Sequence, residues 1–217
     1  MRTSRLRHSH VELALHRLRS GEGRPLLLLH GLGERSPAAV PSEAAPWPGP
    51  VFALDFTGHG ESSMPRGGGY TCEQLMGDAD TALAALGPAT VMGRGLGAYV
   101  ALLLAGARPA DVRGAILRDG LGLAGGGPAP LTPQVVFANP ASHGAPDGHA
   151  LAELARDVRP PDYATAFLRQ AHELSGLDHP VVVCARERPD WLVAVLQELD
   201  TEPMTAEAAI ALYAAVC

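Results

Sequence analysis

The stretch ATVMGRGLGAYVALLLAG, residues 89–106, decides the fold. Ala89 to Met92 is a short apolar run. Gly93-Arg94-Gly95-Leu96-Gly97 breaks it, and an alanine- and leucine-rich segment follows as far as Gly106. A strand, a tight turn and a helix account for the three parts. Position 95 is the apex of the turn, where a side chain would stand exposed between strand and helix. Glycine occupies it, so the apex carries no reactive group.

Outward from this turn the same alternation repeats. Val11 to Leu18 alternates apolar and polar residues, as a half-buried strand does. Short apolar runs follow at Pro25–Leu29, Val51–Leu54, Gly114–Leu117 and Pro180–Cys184, each bounded by breakers. Such continuous runs suit strands buried on both faces of a parallel sheet. Thr71-Cys-Glu-Gln74 reads as a capping box that opens a helix with Leu75, Ala79, Leu83 and Leu86 on one side. Trp191–Leu199 reads as a further helix. The class is therefore α/β, a doubly wound, mostly parallel sheet. Residues 34–50 hold five prolines and predict a loop with little helix; residues 120–147, rich in Gly and Pro, predict irregular chain. Two amphipathic helices are expected next. Gly148–Val158 would bury Leu151 and Leu154, and Pro161–Leu174 would bury Tyr163, Phe167 and Leu174.

Composition narrows the chemistry. The 217 residues fit one domain spanning 1–217, with a single core. A net charge of −6 argues against a nucleic-acid surface. No apolar run approaches the roughly 20 residues that span a bilayer. The charged N-terminus has no apolar signal segment, so a cytoplasmic protein is expected. All 17 basic residues are arginine, which excludes Schiff-base and phosphate-loop lysine chemistry. Cys72, Cys184 and Cys217 are odd in number and widely spaced, suggesting neither a disulfide framework nor a metal site. No cofactor is expected.

Three motifs each follow a buried run: His30-Gly31-Leu32-Gly33, then Asp55-Phe-Thr-Gly58-His59-Gly60-Glu-Ser62, then Gly93-x-Gly95-x-Gly97. In this order and spacing the chain resembles the α/β-hydrolase superfamily over about residues 11–120. The resemblance implies that the first motif supplies part of an oxyanion hole, the second a structural loop and the third a nucleophile elbow. It also implies a small helical cap insertion at about 121–178 and a sheet shortened at its C-terminal end.

Acyl transfer needs a nucleophile, a base and an orienting acid. Gly95 stands where the resemblance places the serine, and no histidine follows His179. Asp119 and Asp190 are the weak candidates for the acid, each without an imidazole to orient. His30 and His59 read as loop braces, Ser62 and Ser63 as turn residues, Tyr70 and Trp47 as packing; His143, His149 and His172 carry no clear role. Glycine at the elbow relieves a backbone strain of about 1–3 kcal/mol. It also leaves the Leu32 and Leu96 N–H groups converging on a vacated pocket that suits an anion. The expected function is therefore binding of a small acyl or carboxylate ligand by His30, Gly31, Leu32, Arg94, Gly95 and Leu96, with no partner nucleic acid or membrane. Two alternatives stand beside it. One is an active hydrolase of small esters or amides working through unidentified residues. The other is an NAD(P)-binding protein that uses Gly93-x-Gly95-x-x-Ala98 as its pyrophosphate turn and Asp119 as its ribose acid.

Overall fold

The structure, a computed structural model, describes residues 2–65, 67–126, 145–199 and 203–215. His143 and Cys217 lie outside the described residues. The strands are β1 (Arg2–His8), β2 (Val11–Arg19), β3 (Leu26–Leu29), β4 (Val51–Asp55), β5 (Ala89–Arg94), β6 (Val112–Arg118) and β7 (Val181–Val183). They form one sheet in the order β1-β2-β4-β3-β5-β6-β7. β1 and β2 run antiparallel to their neighbours, and β3 through β7 are parallel. The helices are α1 (Cys72–Leu86), α2 (Leu96–Ala107), α3 (Gly148–Arg156), α4 (Pro161–Leu174), α5 (Asp190–Leu199) and α6 (Ala206–Ala215).

Side-chain alternation divides the core in two. Leu27, Leu29, Val91, Leu117 and Val183 face the layer that contains α1, α2, α4 and α5. Leu28, Met92, Ile116 and Val182 face the opposite side, where α6, Trp47 and a 3-10 turn at Ser42–Ala44 pack. α2 is buried from Leu96 to Gly106, which its unbroken apolar sequence requires. Thr71 caps α1 by accepting from the Gln74 N–H at 3.2 Å, as the capping box predicts. The β3–β4 connection contains only that 3-10 turn among its described elements, so no α-helix covers this part of the second face.

Two details depart from the sequence expectations. The charged N-terminus forms β1, which has no apolar stripe; seven register pairs with β2 hold it, and His8 Nδ1 meets the buried Asp78 carboxylate at 2.7 Å. α4 has the expected bounds, and Phe167 packs half-buried against the core as expected, but the buried face is rotated away from Tyr163 and Leu174. Ala164, Thr165, Leu168 and Ala171 are buried, whereas Tyr163 is 37% and Leu174 64% exposed. α4 packs closely on both α2 and α5, and small residues allow that approach. The segment 121–178 therefore contributes at least one sheet-covering helix. Among the described residues no strand follows β7; the Met204 N–H instead donates one bond to Val183 O at 3.1 Å.

Candidate active site

The elbow is built as its sequence demands. β5 ends at Arg94, α2 begins at Leu96, and Gly95 between them has φ 57° and ψ −123°. A residue with a Cβ adopts that positive-φ conformation only at a cost of about 1–3 kcal/mol. The Gly95 N–H donates to Arg118 O at 3.0 Å and the Gly97 N–H to His30 O at 3.1 Å, tying the turn to its neighbours.

The Leu32 and Leu96 N–H groups converge, as expected, but on an oxygen of the chain itself. Each donates to Leu121 O at 2.9 Å. The pocket expected to be vacant above Gly95 is filled by the segment Asp119–Leu123, which crosses the elbow as a strap. A Cβ placed on Gly95 would overlap Leu121 O and lie 2.6 Å from Gly120 C. Gly122, at φ 75°, passes so close that its own Cβ would stand 2.6 Å from Leu32 Cβ. The strap is anchored on its far side. The Trp191 indole donates to Leu123 O at 2.9 Å, and the buried Arg159 guanidinium, 5.2 Å from the Tyr99 ring centroid, donates to Gly122 O and Leu123 O. Asp119 fixes its near end by accepting the Arg186 and Glu187 N–H groups at 2.8 and 2.9 Å.

The other candidates are placed as structural groups. His30 Nε2 accepts the Phe56 N–H at 3.1 Å, so Nδ1 carries the proton and donates to Gly31 O at 2.7 Å. Burial first, and the nearby His59 second, push the His30 pKa down to about 3. His59 repeats the pattern, accepting from the Gly33 N–H and donating to Thr57 O, and burial lowers its pKa too. The Ser62 hydroxyl donates to Asp55 O and accepts from the Ala14 N–H; Ser63 accepts from the Glu12 N–H. Tyr70 and Trp47 are buried. Asp190 is an exposed first residue of α5, and His149, His172 and His179 are exposed. Arg94 pairs with Glu34 at 3.2 Å, its side chain 49% exposed. For a dinucleotide, the Gly95 and Leu96 amides and the Asp119 carboxylate are already engaged within the chain. Neither the strap nor the anchoring role of Arg159 is legible in the sequence. The strap's one visible trace is the glycine pair in Asp119-Gly-Leu-Gly122, which reads as generic loop until the facing glycines are known.

A strand, a glycine-apexed turn and a buried helix, with two amides converging above the apex and a 1-2-4-3-5-6-7 strand order, define the architecture. The chain has the α/β-hydrolase fold. Residues 24–120 match the family of serine aminopeptidases, S33. Among solved structures it is similar to a hypothetical protein from Pseudomonas aeruginosa PAO1 (21% identity, TM-score 0.65, covering 100% of this chain and 98% of that one). It is also similar to the thioesterase domain from the curacin biosynthetic pathway (18%, 0.64, 100% and 98%). An esterase from Thermogutta terrifontis resembles it too (19%, 0.61, 92% and 87%). No curated protein sequence matches the chain significantly. Among the described residues, no helix of this α/β-hydrolase fold is long and apolar enough to cross a membrane.

Proposed function

We propose that this protein is a non-hydrolytic member of the α/β-hydrolase fold that binds a small acyl or carboxylate compound. The observation that carries the first half is Leu121 O, seated between the Leu32 and Leu96 N–H donors above a residue with no side chain. An acyl-enzyme needs a hydroxyl or thiol at that point, a base beside it and free donors for the developing oxyanion. Gly95 supplies no nucleophile, the His30 and His59 nitrogens are spent on backbone groups, and the donors already hold a carbonyl. A carboxylate entering the old hole must therefore displace Leu121 O. The reading includes a cytoplasmic location and no cofactor. No observation favours the dinucleotide alternative.

The test is a pair of measurements on the purified chain. Turnover of p-nitrophenyl butyrate should not exceed that of a non-enzymatic control protein, and a fluorophosphonate probe should label no residue. Stoichiometric labelling of one serine, Ser62 or Ser63 included, would establish the active-hydrolase alternative instead.

A further inference from the structure

Arg94 and Arg118 are register partners at the C-terminal ends of β5 and β6. Each stands two residues beyond a buried side chain of the second sheet face, Met92 and Ile116 respectively, so both guanidinium groups extend from that face. There they line a cavity of about 900 Å³, within the range of roughly 300–1,000 Å³ typical of small-molecule sites. Leu28 and Met92, 7% and 3% exposed, close its base, and the half-buried Pro37 and Pro41 with the exposed Ala38 form an apolar wall. Granted the ligand class proposed above, we propose that the bound compound is a monoanionic aliphatic carboxylic acid. Its carboxylate lies between Arg94 and Arg118, and its chain lies along the wall of Pro37, Ala38 and Pro41.

Three observations favour this seat over the old oxyanion hole. Leu121 O fills the hole, whereas no side chain among the described residues fills the cavity. A guanidinium carries five N–H donors. Arg94 meets Glu34 through one terminal nitrogen, and Arg118 uses one for Glu43 at 2.6 Å and the Met92 sulfur. The remaining donors suit the planar, two-oxygen geometry of a carboxylate. The acidic groups of the cavity are already engaged. Glu34 holds Arg94 and the Gly31 N–H, Glu43 holds Arg118, Asp55 holds His16 and the Ser36 and Glu61 N–H groups, and Glu61 holds Arg5. With Arg35, Arg94 and Arg118 the lining holds three cations against these four carboxylates, so a second negative charge on the ligand would be uncompensated, which selects a monoanion.

Calorimetric titration with octanoate, butyrate and octanol tests the assignment. Octanoate should bind the wild type more tightly than butyrate, and octanol should bind more weakly than octanoate. Arg118→Gln and Arg94→Gln should each weaken octanoate about tenfold, the loss expected for one charge-assisted contact. Ala38→Trp, an exposed substitution that fills the cavity from its rim, should abolish binding. Thermal melts identify an arginine variant that fails to fold, and Ala38→Trp then carries the result. Octanoate binding unchanged in all three variants overturns the cavity seat while leaving the ligand class intact. No binding to the wild type overturns both. Neither outcome bears on hydrolysis, which the fluorophosphonate experiment reads separately.

Discussion

Gly95 shows how one atom separates two uses of the same turn. With a Cβ, position 95 is strained; with the strap in place, it is also overfilled, since that Cβ would overlap Leu121 O. Strain of about 1–3 kcal/mol and overpacking of similar size add where neither can relax. We expect Gly95→Ala and Gly95→Ser each to lose roughly 2–6 kcal/mol of unfolding free energy in urea titrations. Hydrogen exchange at the Leu32 and Leu96 amides should speed up at the same time, because both lose Leu121 O when the strap lifts. A loss near 1 kcal/mol with unchanged exchange would mean that strain alone acts, as the sequence by itself suggested. Neither variant should gain esterase activity, since Gly95→Ser returns a hydroxyl without a base.

At the scale of elements, β1 depends on a polar anchor more than on apolar burial. Its side chains alternate between exposed and half-buried, and its end is tied to α1 by His8 and Asp78. The Asp78 hydrogen bond, with the Asp78 and Asp80 charges, outweighs burial and raises the His8 pKa above its ordinary 6.5. A histidine whose pKa rises on folding stabilises most below its unfolded pKa, and the contribution fades as pH climbs through the folded value. The stability gap between wild type and His8→Gln should therefore be widest below about pH 6.5 and narrow above it, as urea midpoints across a pH series would record. A gap that widens with rising pH would contradict the assignment. β1 was illegible in the sequence because Arg2–His8 holds a single apolar residue, Leu6, and so carries no apolar period. α4 was legible in its bounds but not in its buried face, since large side chains suggested one stripe and close packing against α2 and α5 selected the small ones.

At the scale of the molecule, the two faces of the sheet are covered unequally. The first carries α1, α2, α4 and α5; the second carries α6, Trp47 and the 3-10 turn, and keeps the cavity beside them. Ile210 of α6 is fully buried against this second face, and the Tyr213 hydroxyl donates to His179 O at 2.8 Å. Truncating Ile210 to alanine should cost roughly 2–4 kcal/mol, while Tyr213→Phe should cost about 1 kcal/mol, both read from urea unfolding. A negligible effect of Ile210→Ala would show that the second face does not depend on α6.

Strands β3 to β7, the turn at Gly95 and the absence of a side chain at its apex are legible in the sequence, because these rest on local signals. Apolar runs between breakers mark β3 to β7, a capping box marks α1, and a glycine at an apex cannot attack. The sequence also placed two converging amides correctly, since their direction follows from a helix N-terminus and a tight turn. Only the tertiary structure decided what those amides hold. Leu121 is 89 residues from Leu32 and 25 from Leu96, and their meeting depends on glycines at 95 and 122 allowing two main-chain segments to touch. Such an approach needs the absence of side chains on both partners. An absence has no periodicity, charge or spacing from which a pairing can be read along the chain.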